Sequence, residues 1–382
     1  MKSDEVAETI SWRHHLHRNP ELAFEEHETS AFVARMLASF GLNVSTGLGG
    51  TGVVGTLSRG TSSRSIGIRA DMDALPILEA TDLPYKSTVP GKMHACGHDG
   101  HTAMLLAAAR ACAQSGGFDG TVHFIFQPAE ENEGGAQRMV EDGLFTKFPC
   151  DAVYALHNWP GMPVGSCVAR DGAMMAAFGT FEIVIDGAGS HGAMPHEGVD
   201  PIVAACALGS SLHTIVSRNV SPLEPAVLSM TQIHAGEAWN VIPPSCVIRG
   251  TTRWFDKAVG DLVEGRLNDL ANSVVSGFGC KATIHYERRY PPTINDAAEA
   301  AFVRSVVGAQ TEMRVEAASP SMAAEDFAFM MEARPGCYLW LGSGRDGANP
   351  GLHSPYFDFN DEIIPYGVDL WRRVVETKLS SG

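Results

Sequence analysis

Residues 65–73 read SIGIRADMD, a short run rich in β-branched and apolar residues that ends in two aspartates. Two further runs of this kind follow, TVHFIFQ at 121–127 and AVYAL at 152–156. Stretches rich in alanine and apolar residues, 102–113 and 136–141, have the composition of helices and lie between the runs. Alternating strands and helices are typical of a sheet covered by helices. The sequence therefore predicts an α/β sandwich with a mostly parallel sheet.

A different order of segments begins near residue 178. The predicted strands are 178–186, 225–234, 245–255 and 282–290, and the predicted helices are 201–216 and 258–278. Strand-helix-strand-strand-helix-strand is the order of a small α+β, ferredoxin-like module. The α/β pattern resumes after Pro291 and Pro292. We therefore expect a catalytic domain formed by 1–177 and 291–382, with an inserted domain at 178–290.

Composition excludes several classes of protein. The chain has 382 residues and 28 basic against 44 acidic side chains, a formal charge of −16. Such a charge argues against a nucleic-acid partner, which requires clustered lysine and arginine. No apolar run reaches the roughly 18 residues of a membrane helix, and the acidic N-terminal segment is unlike a signal peptide. Eight scattered cysteines fit reduced thiols, so we expect a cytoplasmic protein without membrane contact.

Polar side chains follow three of the predicted strands. They are Asp71 and Asp73 after the first strand, Glu130 and Glu131 after the second, and His157 and Asn158 after the third. Ligands of an open parallel sheet bind outside the carboxyl ends of its strands. Turn and capping roles would explain any one of these pairs, but the three together predict a site at this edge.

The densest group of candidate ligands is MHACGHDGH at residues 93–101. Cys96 and His98 are two residues apart, so a thiolate and an imidazole of one loop could ligate a single cation. Gly97 permits a tight turn, and Asp99 could orient a ligand from behind. A single histidine is more often a structural hydrogen-bonding group, but this cluster predicts a metal site.

The adjacent carboxylates Glu130 and Glu131 suggest two roles. Neighbouring side chains of an extended segment point to opposite sides, so one could ligate a metal while the other accepts a proton from water. A solvated acidic turn that also includes Glu133 is the alternative.

Other features have competing interpretations. Gly187, Gly189 and Gly192 match a dinucleotide-binding fingerprint, but Pro195 lies where the required helix should run. The tryptophans at positions 159, 239 and 254 could shape an acyl pocket, although packing explains at least two of them.

The chain resembles the M20 metallopeptidase family, in particular its amidohydrolase branch of hippurate hydrolases, auxin-conjugate hydrolases and N-acyl-amino-acid amidohydrolases. The motifs that carry the resemblance span nearly the whole chain in order. They are His17–Leu22, Arg69–Pro76, Met93–His101, Gln127–Glu131, His157, Ser190–His196, Asn240–Pro243, Glu325–Phe327 and His353.

The resemblance implies a centre of two divalent metal ions. The implied ligands are Cys96, His98, Glu131, His157 and His353. Cys96 would stand where the wider family has a bridging aspartate, and Glu130 would be the general base. Asp71 replaces a histidine of the wider family and is not assigned as a ligand, whereas Asp73 is expected to orient one. Thiolate, imidazole and carboxylate ligands suit manganese, zinc, cobalt or nickel.

The inserted domain would be the family's lid and dimerisation domain. The resemblance implies that His191 stabilises the oxyanion, in the active site of the partner subunit, and that Asn240 and Arg253 hold the substrate carboxylate. A homodimer, or a dimer of dimers, is expected. The predicted function is metal-dependent hydrolysis of the amide bond of N-acyl amino acids. A dipeptidase- or carboxypeptidase-like M20 peptidase and a non-catalytic protein that binds acylated amino acids are the alternatives.

Overall fold

A computed structural model describes residues 1–309, 312–347 and 349–380. The chain forms two compact units. The first comprises Met1–Met174, Thr293–Ser319 and Asp326–Gly382, and the second comprises Met175–Pro292 and Pro320–Glu325. The boundaries expected from the sequence are 178 and 290, and residues 320–325 are not part of the expected insertion.

An eight-stranded sheet forms the centre of the first unit. Strands and helices are numbered in chain order, and this sheet contains β1 (Asn43–Leu48), β2 (Gly52–Arg59), β3 (Ser65–Asp71), β4 (Gly120–Gln127), β5 (Ala152–Trp159), β6 (Ser166–Val168), β15 (Arg314–Val315) and β16 (Gly336–Gly342). The strand order is β1-β2-β4-β3-β5-β16-β6-β15. Four of the seven neighbouring pairs are parallel (β4–β3, β3–β5, β5–β16 and β6–β15), whereas β1–β2, β2–β4 and β16–β6 are antiparallel. The sheet is therefore mixed and mostly parallel.

Eight helices accompany this sheet in the described part of the first unit. They are α1 (Ser3–Arg18), α2 (His27–Ser39), α3 (His98–Ser115), α4 (Gly135–Glu141), α5 (Leu144–Lys147), α8 (Ala297–Gly308), α9 (Ala328–Ala333) and α10 (Ile364–Lys378). The short strands β7 (Gly172–Met175) and β14 (Thr293–Asn295) pair with each other. Most of α3 is buried, and its alanine and leucine side chains join the core with Ile66, Ile68 and Trp371. Small side chains let α3 approach the sheet closely, which fixes the position of its first residue, His98.

The second unit contains a four-stranded antiparallel sheet. Its strands are β8 (Ala177–Asp186), β10 (Ala226–His234), β12 (Ser245–Trp254) and β13 (Lys281–Tyr290), in the order β10-β12-β8-β13. The helices α6 (Pro201–Thr214) and α7 (Lys257–Gly277) pack on it through a separate core. A two-stranded ribbon of β9 (Ser190–His191) and β11 (Val241–Ile242) completes the unit. Chain order and strand order together give the ferredoxin-like arrangement.

The predicted fold class is confirmed: an α/β unit with a mostly parallel sheet and a separate small antiparallel module. The glycine motif at 187–192 leads only into a 3₁₀ turn at Pro195–Glu197, so no long helix opens there. All eight cysteines lie within the described residues and are free. Among the described residues, no helix has both the length and the apolar character needed to cross a membrane.

Candidate metal centre

Five predicted ligands converge in the first unit. They are Cys96 in the loop before α3, His98 at the start of α3, Glu131 after β4, His157 in β5, and His353 in the loop that precedes α10. Cys96 Sγ lies 3.4 Å from His157 Nε2, and Glu131 Oε1 lies 3.2 Å from His353 Nε2 and 4.0 Å from His98 Nε2. Strand β5 extends to Trp159, so His157 lies within the strand rather than after it.

The donor atoms form two groups that share Cys96. In the first group, Cys96 lies with His98 and His157, and their donor atoms are within 4.8 Å of one another. In the second, Cys96 lies with Glu131 and His353 at the same spacing. Glu130 comes equally close to His98 and Glu131. Each group is compact enough to surround one cation, and the shared thiol lies between them.

The turn between Cys96 and His98 requires glycine. Gly97 has φ +97°, and a Cβ built there would come within 2.3 Å of Asn158 Oδ1. Any other residue would be strained by its backbone angle and would also clash with that amide. Gly97 therefore allows the thiol and the imidazole to face the same point.

The carboxylate loop after β4 is held by two buried acids. Ala129 has φ +54°, unusual for a residue with a side chain. Its N–H donates to Glu26 Oε1 at 2.9 Å, and the N–H of Glu131 donates to Asp73 Oδ2 at 2.9 Å. Strained backbone held by such contacts is common at functional sites. The two hydrogen bonds fix the backbone that presents Glu130 and Glu131.

Asp73 and Asp99 occupy different surroundings. His98 Nδ1 lies 2.9 Å from the Asp73 carbonyl oxygen and 3.2 Å from Asp73 Oδ1, so that Nε2 of His98 faces the other donors. Asp99 instead pairs with His17 Nδ1 at 2.9 Å and with the Arg13 guanidinium at 3.5 Å. Asp73 thus contacts a candidate ligand, whereas Asp99 anchors the first turn of α3 to α1.

The electrostatics of the site favour a cation. Burial, reinforced by Glu131 and the other nearby carboxylates, raises the pKa of the Cys96 thiol well above its usual range. Burial alone would lower the pKa of His98, but Asp71 and Asp73 raise it to about 10. Burial and the neighbouring His101 hold the pKa of His157 well below its usual range, so it is a neutral imidazole. The excess of negative charge that retains a proton on His98 would equally attract a metal ion.

The donors fit a metal centre. Nε2 of His98 is buried without a hydrogen-bond partner among the described residues, and buried Oε1 of Glu131 makes only an ion-pair contact with His353 Nε2, without hydrogen-bond geometry. Buried polar atoms without partners are rare in folded proteins. A divalent cation would satisfy both atoms and would stabilise the Cys96 thiolate.

Glu26 makes the stability of the first unit depend on pH. Burial raises the pKa of this carboxyl to about 7, against an ordinary value of 4.5. Since the folded protein holds this proton more tightly, the stabilisation is complete below pH 4.5 and is lost as the pH rises through 7. We expect the free energy of unfolding of the chelated protein to fall between pH 5 and 8 by about 2.5 kcal/mol more than that of Glu26→Gln.

Urea denaturation across this pH range measures the difference. Glu28 is exposed at the start of α2, one position beyond His27, so Glu28→Gln removes the same charge without burial. This control should keep the pH dependence of the parent. Equal pH dependence in the parent and in Glu26→Gln would contradict the assignment.

A buried network beneath the site was missed by sequence reasoning. Arg69 Nε donates to Gln127 Oε1 at 2.6 Å, and the two terminal nitrogens of Arg69 donate to Asp71 and Asp326 at 2.8 and 3.1 Å. Asp71 also accepts from His101 Nδ1 at 2.7 Å. Asp71 is therefore paired with Arg69 and His101, and it also lies in a group of possible metal donors with His98 and His101. The sequence carried one signal for this network, which was the charged residue Arg69 within the mostly apolar strand β3.

The predicted residues of the inserted module lie in the second unit. His191 and Asn240 are exposed and adjoin the β9–β11 ribbon, where Val241 pairs with His191 and the N–H of Gly192 donates to the Asn240 carbonyl at 2.7 Å. Arg253 is half-buried in β12, with its guanidinium 4.7 Å from the centre of the Phe178 ring. The ribbon thus brings His191 and Asn240 together, while Arg253 lies on the sheet.

A candidate metal centre of thiol, imidazole and carboxylate donors at the edge of an α/β sheet is typical of metallohydrolases. Residues 67–377 match peptidase family M20/M25/M40. The chain is 41% identical to a hippurate hydrolase of Campylobacter jejuni, over 95% of this chain and 94% of that protein. It is 40% identical to an N-acetyl-L-cysteine deacetylase of Bacillus subtilis, over 93% of this chain and 84% of that protein.

A solved structure from Bacillus subtilis has the same fold. This dinuclear metal-binding peptidase of the M20 family superposes with a TM-score of 0.86 at 32% identity, covering 99% of each chain. The chain therefore belongs to the M20 family, and it is a hydrolase of amide bonds.

Proposed function

We propose that the protein hydrolyses the amide bond of N-acyl amino acids with two divalent metal ions and Glu130 as the general base. The observation that carries the proposal is the pair of donor groups sharing Cys96, with the Glu130 carboxylate at their side. The names of the relatives, a hippurate hydrolase and an N-acetylcysteine deacetylase, support the substrate class. In this assignment Cys96, His98, Glu131, His157 and His353 would hold the metals.

Each residue has a defined task in the proposed reaction. Bound metal ions would supply a water of lowered pKa and a polarised amide carbonyl. Glu130 removes a proton from the attacking water and delivers it to the departing amine nitrogen, so that the amide C–N bond breaks with the amine neutral. Asp73 keeps the His98 ring in its orientation, and Glu26 keeps the backbone of the Glu130 loop in place.

The second unit supplies the remaining groups in this proposal. His191 stabilises the developing oxyanion in the partner subunit of a homodimer, a contribution of about 3–4 kcal/mol for a single donor of this kind. Asn240 and Arg253 bind the carboxylate of the amino-acid moiety, which would favour acylated amino acids over simple amides. We infer that the enzyme acts in the cytoplasm, since eight free cysteines suit a reducing compartment.

Removal of the metal should abolish the activity. After dialysis against EDTA, we expect hydrolysis of N-benzoylglycine and N-acetyl amino acids to fall at least 100-fold. Activity should return on addition of Mn²⁺, Zn²⁺ or Co²⁺, since the donor set suits all three. The measurement is product release by the chelated and the reconstituted protein, with bound metal quantified by elemental analysis.

Two results would contradict the proposal. Full activity of the metal-free protein would exclude the metal centre from catalysis. Stoichiometric metal binding without hydrolysis of any N-acyl amino acid would instead indicate a binding protein. The assignment of His191 to the partner subunit is tested by light scattering, which measures the oligomeric state of the active species. A fully active monomer would contradict this assignment.

A further inference from the structure

Three aromatic side chains lie on one face of the central sheet beside the candidate metal centre. Trp340 in β16 is the parallel register partner of His157 in β5, so both side chains project to the same face. Trp159 follows His157 by two residues in the same strand and therefore shares this face. The ring centroids of His157 and Trp159 are 6.5 Å apart, with the rings nearly perpendicular.

The two indoles form a stacked pair. Their centroids are 4.1 Å apart and the angle between the ring planes is 13°. Trp340 is buried, whereas Trp159 remains partly exposed at the end of β5. One face of the Trp159 indole is covered by Trp340, which fixes its orientation. Trp159 is therefore a partly exposed indole of fixed orientation beside the candidate metal ligand His157.

The buried member of this pair also has an unsatisfied polar group. Nε1 of Trp340 is buried and has no hydrogen-bond partner in the described part of the chain. Tryptophan N–H groups that are buried usually donate to an acceptor. The unpaired N–H of Trp340 therefore sets this pair of indoles apart from tryptophans that only fill a core.

The other two tryptophans singled out by the sequence have different surroundings. Trp254 is 3% exposed in the second unit, where its indole contacts Gly260. Trp239 is fully exposed, one residue before Asn240. Of these three tryptophans, all within the described residues, only Trp159 has both a ring held by stacking and a candidate ligand, His157, close to that ring. Trp239 therefore serves as the comparison for any test of Trp159.

We propose that the exposed part of the Trp159 indole is a platform for a planar aromatic acyl group, so that the enzyme prefers aroyl amino acids to acetyl amino acids. The inference rests on the proposed function, because the platform acts on the acyl side of the amide bond cleaved at the metals. Aromatic rings gain from offset stacking on an indole beyond the burial of their surface. An acetyl group offers no π-face and little area, so it gains little from the same surface.

Substitution of Trp159 should change the choice of acyl group rather than the chemistry. In Trp159→Leu we expect kcat/KM for N-benzoylglycine to fall at least tenfold, while that for N-acetylglycine stays within threefold of the parent. Trp159→Phe keeps an aromatic face and should retain the preference to within threefold. The same exchange in the second unit, Trp239→Leu, should leave the ratio of the two kcat/KM values unchanged.

Product binding tests the platform without turnover. Isothermal titration calorimetry of the metal-loaded protein should show that Trp159→Leu weakens benzoate at least fivefold and leaves acetate unchanged. If the parent hydrolyses no N-acyl amino acid but shows this pattern, the proposed function fails and the aromatic subsite stands. Equal losses for both substrates and both products in Trp159→Leu would overturn the platform. A selectivity change in Trp239→Leu instead of Trp159→Leu would overturn it as well.

Discussion

Replacing Glu130 with glutamine should lower kcat/KM for an N-acyl amino acid by about 10³-fold or more, with metal binding intact. Glutamine has nearly the shape of glutamate but cannot accept the proton of the attacking water or pass it to the leaving nitrogen. General acid–base catalysis contributes roughly 10²- to 10⁴-fold, and one residue here would perform both transfers. The expected loss therefore lies at the upper end of that range.

The neighbouring residues provide matched controls. Glu133 is exposed three positions further along the same loop, so Glu133→Gln removes an equal charge and should leave activity and metal content unchanged. Cys96→Ala removes the donor shared by the two ligand groups and should lose metal together with activity. The contrast between Glu130→Gln and Cys96→Ala separates a proton carrier from a ligand.

Kinetics and elemental analysis on the same preparations distinguish these roles. Glu130→Gln that binds metal and keeps full turnover would exclude Glu130 as the general base. Glu130→Gln that loses its metal would make Glu130 a ligand instead, which its position beside His98 and Glu131 permits geometrically. Cys96→Ala with unchanged metal content would refute the shared thiol.

Much of the fold could be predicted from sequence because hydrophobic periodicity was strong in its longer elements. Strands β3 and β4 and helix α7 begin within one residue of the predicted positions. Short elements lack a sufficient repeat, so the two-residue strands β9 and β11 could not be seen. Such strands depend on pairing with distant parts of the chain rather than on local sequence.

The candidate ligands could be predicted because their residue types are unusual where they occur. A cysteine between histidines, or two glutamates after a buried strand, is difficult to explain by core packing. His353 carried no such local signal and was assigned only through the resemblance. Its φ of +65° and its hydrogen bond from N–H to the Ala95 carbonyl at 2.8 Å are properties of the folded chain.

The supporting groups were beyond sequence reasoning. Glu26 contacts Ala129 across 103 positions of sequence, and Arg69 contacts Asp326 across 257. Contacts at such separation follow from the order of strands in the sheet, not from a local pattern. Asp99 is an example: its neighbour His98 is a candidate ligand, whereas the Asp99 carboxylate lies 2.9 Å from His17 Nδ1, a contact that no local pattern indicates.

Removing the Arg69 guanidinium should destabilise the first unit by about 3–5 kcal/mol, because breaking a buried ion pair leaves charge behind in the interior. Arg69 is 1% exposed, and Asp71 and Asp326 are fully buried. In Arg69→Met the stem of the side chain is kept, so the loss reflects the charge and hydrogen bonds rather than a cavity. Both carboxylates would lose their guanidinium partner, and Gln127 would lose its donor.

Denaturant unfolding of the chelated protein, followed by circular dichroism, measures this loss apart from metal binding. Arg138 pairs with Asp142 at 3.7 Å on the surface of α4, so Arg138→Met should cost less than 1 kcal/mol. Adding Asp326→Asn to Arg69→Met should recover part of the loss, since it neutralises one of the two buried carboxylates. A cost for Arg69→Met as small as that for Arg138→Met would mean that the network adds nothing to stability.

Metal affinity should fall with Arg69→Met as well. Asp326 also accepts from the N–H of Ala136 at 2.8 Å, and it therefore anchors the far end of the loop that carries Glu131.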